Sequence, residues 1–81
     1  IDTLYAVTYN GNGADGGTEP TTYAYQKNAE PTIAANGFIF ADHTFIEWNT
    51  AADGSGAGYD PGDLITMTAD VTLYAIWEAM P

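Results

Sequence analysis

FIEWNTAADGSGAG, residues 45–58, is the stretch that the rest of the chain has to be built around. It starts as an aromatic strand end with Phe45, Ile46 and Trp48. It breaks at the polar pair Asn49 and Thr50, then turns through Asp53, Gly54, Ser55 and Gly56. Trp48 is the largest side chain in the middle of the chain, and a ring of this kind buries on the order of 150–250 Å². Something must cover it. The natural cover in the sequence is a second aromatic strand, residues 71–77. One face of it carries Val71, Leu73, Ala75 and Trp77, and the other carries Thr72, Tyr74 and Ile76. A strand that is apolar on both faces is expected in the middle of its sheet.

Outward from this pair the chain reads as strands and turns. Residues 4–9 (LYAVTY) set Tyr5, Val7 and Tyr9 against Leu4, Ala6 and Thr8, which predicts a first strand. Asn10-Gly11-Asn12-Gly13, then Gly16, Gly17 and Pro20, supply positive φ and stop pairing, so residues 10–20 are expected as a loop. Glycines after a strand invite a phosphate cradle. Here the pattern is neither GxGxxG nor GxxxxGK[ST], no lysine is near, and no helical period follows.

Residues 21–26 (TTYAYQ) predict a second strand, at a sheet edge, turned by Lys27 and Asn28. Residues 29–36 leave open a short strand over 32–34 or one helical turn, since Pro31 breaks anything longer. Residues 44–48 form the next strand. Pro61-Gly62 fits the centre of a type II turn, and residues 64–67 follow as a short strand. Residues 78–81 are expected as a linker after the closing strand, stiffened by Pro81. No stretch sustains a helical period. The expectation is one mostly β domain over residues 1–81 with its core in 4–77. The start at Ile1-Asp2, without methionine, suggests a segment of a longer protein.

Composition removes several functions. Eighty-one residues make one domain at most. With no cysteine there is no disulfide, no thiolate metal site and no cysteine nucleophile. Lys27 is the only basic side chain against eleven acidic ones, for a net charge of -10. Phosphate binding needs Lys and Arg, so nucleic acid is not an expected partner, and an anionic membrane surface is disfavoured for the same reason. No apolar run approaches the roughly 20 residues of a membrane span, so no membrane insertion is expected.

The residues with chemistry are few. His43 is the only histidine, which leaves no histidine metal cluster; no Ser–His–Asp triad is expected around it, and its neighbours Asp42 and Glu47 complete at most an acid–base group on a strand end. Asp53, Asp60 and Asp63 flank turns and are the candidate Ca²⁺ ligands, although their spacing is not that of an EF-hand. Trp48, Trp77 and Tyr74 would stack on a sugar if exposed. In a domain this small the two tryptophans are expected in the core, with Val7, Phe45 and Leu73. Tyr23 and Tyr25, on the edge strand, are the expected contact surface, and such an edge also accepts another strand. No cofactor is expected.

Taken in order, these pieces resemble the Listeria–Bacteroides repeat family, also called internalin B-repeat domains. The carriers are Val7-Thr8-Tyr9 followed by Asn10-Gly11-Asn12-Gly13; Thr44-Phe45-Ile46-Glu47-Trp48-Asn49-Thr50; Asp53-Gly54-Ser55-Gly56; Tyr59-Asp60-Pro61-Gly62-Asp63; and Val71-Thr72-Leu73-Tyr74-Ala75-Ile76-Trp77. The chain departs from the pattern at Asp42-His43, where Gly-Tyr is usual, and at Glu47, where a glycine usually precedes the tryptophan. The resemblance implies a β-grasp-like mixed sheet with its first and last strands side by side and parallel. It also implies an extracellular place, in bacterial or archaeal surface or secreted proteins, often in tandem between a binding domain and a wall anchor. It brings no catalytic residues. The function expected is a non-catalytic spacer and weak protein-interaction unit, with a protein or neighbouring repeats as partner. The alternative is a carbohydrate- or ligand-binding accessory module of a secreted enzyme.

Overall fold

The computed structural model describes residues 3–80; Ile1, Asp2 and Pro81, and with them the readings made of the chain start and of a stiffening Pro81, lie outside the described residues. The strands are β1 (Leu4–Asn10), β2 (Gly16–Gly17), β3 (Tyr23–Gln26), β4 (Phe38–Ile39), β5 (His43–Asn49), β6 (Gly58–Tyr59) and β7 (Val71–Ala79). No helix occurs among the described residues. Five strands form one sheet in the order β3-β1-β7-β5-β6, and β2 pairs with β4 separately. β1 and β7 are parallel, with Val7 opposite Val71 and Asn10 opposite Tyr74, while the other pairs are antiparallel. The fold is thus a mostly β mixed sheet with its first and last strands adjacent and parallel. The doubly apolar β7 sits at its centre, as its pattern requires, and β3 at an edge.

Four segments differ from the sequence expectation. β7 runs two residues past Trp77: Glu78 and Ala79, expected as linker, pair with Thr44 and His43. The 10–20 loop contains β2, whose Gly16 and Gly17 pair with Ile39 and Phe38. Gly17 has φ +88, and a Cβ there would run into the Gly37 carbonyl, so only glycine fits this short ladder. Residues 29–36 form neither strand nor helical turn, and the expected 64–67 strand reduces to a single bridge between Leu64 and Thr32. The two segments are nonetheless laced together. Ile33 donates to the Asp63 carbonyl at 2.7 Å, Ile65 to Pro31 at 3.1 Å and Met67 to Ala29 at 2.9 Å. Pro31 has no N–H to give a regular ladder, and the lace carries what the ladder cannot.

The lace covers one face of the sheet. Val7 and Tyr9 from β1, Trp48 from β5 and Leu73 and Ala75 from β7 line that face, and Ile33, Ile65 and Met67 close it from the other side. β5 reaches this arrangement through a bulge. Phe45 stands opposite Trp77 and Glu47 opposite Ile76, so Ile46 is an extra residue. In a regular strand residues three apart point to opposite faces. The extra residue restores the parity: Phe45 and Trp48 meet on the core side with centroids 5.2 Å apart, and Ile46 is left exposed. The bulge forms with Glu47 in the position where glycine is usual.

Candidate functional site

The two tryptophans are anchored at both ends of their rings. Trp48 is 0% exposed. Its indole is met by Tyr9 at 4.8 Å, Phe45 at 5.2 Å and Phe38 at 6.2 Å, and its N–H donates to the Ala34 carbonyl at 3.0 Å. The cover expected from residues 71–77 therefore comes instead from the segment around residues 34–38 and from Tyr9. β7 lies beside Trp48 in the same sheet, and offers it Ala75 as strand neighbour. Trp77 is half-buried, packed on Phe45 at 5.8 Å and Phe40 at 5.5 Å, and donates to the Gly11 carbonyl at 2.8 Å. Val7 and Leu73 are buried, and Phe45 packs at the core margin. Tyr74 stands in register between Asn10 and Asn49 and is half-buried. Burial pushes the Tyr9 hydroxyl above its ordinary value of 10.0, against the hydrogen bond it accepts from the Ala34 amide at 2.9 Å.

The candidate acid–base and metal groups are not assembled. The bulge sends Glu47 to the face opposite Phe45, where its Oε2 accepts from Asn49 at 3.0 Å. His43 stacks on Phe40 at 3.8 Å and sets its Nδ1 2.8 Å from the Ala41 carbonyl. Among the described residues no three His, Cys, Asp or Glu side chains are grouped to hold a metal ion. Asp53, Asp60 and Asp63 instead serve their own turns. The Ser55 hydroxyl and amide donate to Asp53 at 2.6 and 3.0 Å and hold its carboxyl below the usual value. Asp63 accepts from the Asp60 amide at 2.9 Å. An open hollow of about 220 Å³ lies beside Tyr59, Ile65, Met67 and Val71, and its one carboxylate, Asp70, accepts from the Ala6 amide.

Two asparagines that the sequence marks only as turn formers do the positioning. Asn49 is 1% exposed. Its amide nitrogen donates to Glu47 Oε2, Gly54 O and Gly56 O, and its oxygen accepts from the Ala51 amide at 2.9 Å and the Gly56 amide at 3.0 Å. One buried side chain thereby closes the whole 50–57 loop over the second face of the sheet. Asn12, at φ +50, donates to Ala52 O at 2.7 Å and to Ala75 O at 2.9 Å, while its own amide is held by Asn10 Oδ1. It continues β7's pairing past the end of β1. The signal in the sequence was a polar residue directly after Trp48 with the eight small or polar residues 50–57 behind it, too few apolar groups to hold a loop by packing.

The exposed aromatic surface is on β3. Tyr23 is 60% exposed, Tyr25 is half-buried, and their centroids are 6.5 Å apart. They lie opposite Val7 and Tyr5, so the core-facing row of β1 continues out to the sheet edge beyond the cover.

Comparison with known proteins finds a family and relatives at the level of sequence. The family model of the Listeria-Bacteroides repeat domain matches residues 5–76. A protein of Evansella cellulosilytica provisionally named a membrane protein is 43% identical over 77 residues, 93% of this chain and 12% of that protein. A second from the same organism, provisionally named a Gly-rich membrane protein, is 42% identical over 76 residues, 91% of this chain and 9% of that protein. The chain thus spans about a tenth of the length of the curated relatives it matches. No solved structure matches it.

Proposed function

The chain belongs to the Listeria-Bacteroides repeat domain family, and from that premise we propose that it is a non-catalytic repeat module, acting as a spacer and weak protein-interaction unit in a surface or secreted protein. The observation that carries the reading is where the chain enters and leaves the sheet. β1 and β7 are parallel, so Leu4 and Ala79 lie at opposite ends of one strand pair. Leu4 is three residues before Val7, and Ala79 is eight after Val7's partner Val71. These eleven steps, at about 3.3 Å each, separate the two ends by about 36 Å. The long dimension of the module is 50 Å against 23 and 18 Å across. Copies joined through such ends extend along one line. The polar turn residues support the same reading, because Asn12, Asn49, Asp53 and Asp63 are engaged in hydrogen bonds that hold the module's own turns.

Small-angle scattering on two copies of the chain joined end to end tests it. The maximum dimension is expected to exceed that of one copy by at least about 36 Å; two copies packed side by side would remove the spacer reading. The glycan-binding alternative rests on exposed Tyr23. A saturable glycan response abolished by Tyr23→Ala would favour it.

A further inference from the structure

We infer that the parallel β1–β7 pair is a mechanical clamp, by which the module withstands tension applied along the chain; the inference rests on the spacer reading above. Tension drawn through the two ends pulls β1 toward its Leu4 end and β7 toward its Ala79 end. Their hydrogen bonds lie across that direction, so the pairs from Val7–Val71 to Asn10–Tyr74 are strained together, in shear. Peeling would break the same bonds one after another. Forced unfolding is governed by the barrier, and so by what must break at once.

Four paired positions make a short clamp, and side chains lengthen it at both ends. Before the first pair, the Ala6 amide donates to Asp70 Oδ1 at 2.9 Å. After the last, Asn12 Nδ2 donates to Ala75 O at 2.9 Å and Trp77 Nε1 to Gly11 O at 2.8 Å. Each of these bonds joins β1 or its immediate continuation to β7 or the residue before it. Asp70, Asn12 and Trp77 therefore extend the seam from Ala6 to Asn12. On its other flank β7 is held by β5 from His43 to Asn49, so the strand that receives the pull cannot leave by itself. Asn12 Nδ2 also reaches Ala52 O at 2.7 Å, tying the 50–57 loop to the same seam.

The test is single-molecule pulling of the full chain in two directions. Handles at the two chain ends load the seam in shear. A handle at the N-terminal end and another at Lys27→Cys, unique in a chain without cysteine, unzip β3 from β1, since Leu4 stands opposite Gln26. The end-to-end unfolding force is expected to be severalfold the unzipping force. Equal or lower end-to-end force overturns the clamp. Asn12→Gly removes the amide while tolerating φ +50. It is expected to lower the end-to-end force and leave the unzipping force unchanged, as is Asp70→Ala. A fall in both directions alike would mark ordinary destabilisation and remove the side-chain part. A weak seam in copies that still extend in scattering would sink the clamp and keep the spacer. A strong seam in copies that pack side by side would keep the clamp and sink the spacer.

Discussion

At the scale of single residues, the polar side chains with the most structural weight are those with no chemistry to perform. Asn49→Ala would strip the part-buried Ala51 and Gly56 amides and two loop carbonyls of their partner, a side chain that is itself 1% exposed. Unsatisfied buried groups cost about 1–3 kcal/mol each when water cannot replace the partner. Because the loop can open and rehydrate, a total loss of about 2–3 kcal/mol is expected. Urea denaturation checks it, and a change no larger than the roughly 0.5 kcal/mol of an ordinary surface substitution would contradict the anchor role. Tyr9 gives a pH signature. Burial raises its folded-state value above 10.0, so the neutral phenol is the form the fold favours. Its contribution is complete below the unfolded value and is lost as pH rises through the folded one. Stability should therefore fall on the alkaline side of pH 10, and Tyr9→Phe should blunt that fall while costing about 1 kcal/mol at neutral pH for the lost bond to Ala34. Equal alkaline slopes for the two proteins would refute it. Neither role could be read from the chain. Asn beside Gly signals a turn wherever it stands, and only the fold shows which Asn is roofed over.

Elements were legible where a period carried them. Alternation at residues 4–9 and 71–77 places β1 and β7, and the apolar second face of β7 places it at the centre. What escaped has a physical cause in each case. β2 and β4 are two residues each and exist only because Gly17 lets two backbones close in, so they have no period to detect. The 29–36 and 64–67 segments hold each other by long-range backbone bonds that composition does not encode. The bulge in β5 is the sharpest case, because it inverts the facing of every residue after Ile46. A test follows directly. Deleting Ile46 leaves Phe45 and Trp48 two residues apart, so a regular strand with Glu47 still opposite Ile76 keeps both on the core face. That protein is expected to retain the near-ultraviolet dichroism of the tryptophans. Deleting Ile46 and Glu47 together makes Phe45 and Trp48 adjacent and forces one of them out of the core face. Loss of a large buried aromatic costs about 3–5 kcal/mol, a large share of the stability a domain this small holds, so the double deletion is expected to abolish the signal. A single deletion that also loses the dichroism would contradict the parity account of the bulge.

For the whole molecule the governing quantity is a charge of -10 on a body only 23 and 18 Å across. At about 0.01 M salt the screening length is about 30 Å, longer than either width, and at about 0.15 M it falls to about 8 Å. The carboxylates therefore repel across the module in dilute buffer and largely cease to do so at physiological ionic strength. The same repulsion between neighbouring copies opposes side-by-side packing, which is what an extended array needs. Tm should rise by a few degrees between those two salt concentrations, about 1 kcal/mol corresponding to about 4–8 °C for a chain of this size. The cation should not matter. Asp53 and Asp63 already accept hydrogen bonds within their own turns, and Asp60 is not gathered with them into a three-carboxylate group. Ca²⁺ matched to Na⁺ in ionic strength is therefore expected to give the same Tm. A further rise specific to Ca²⁺, lost in Asp53→Asn or Asp63→Asn, would mean that the turns open to take an ion, and that the charge of the module is regulated instead of merely screened.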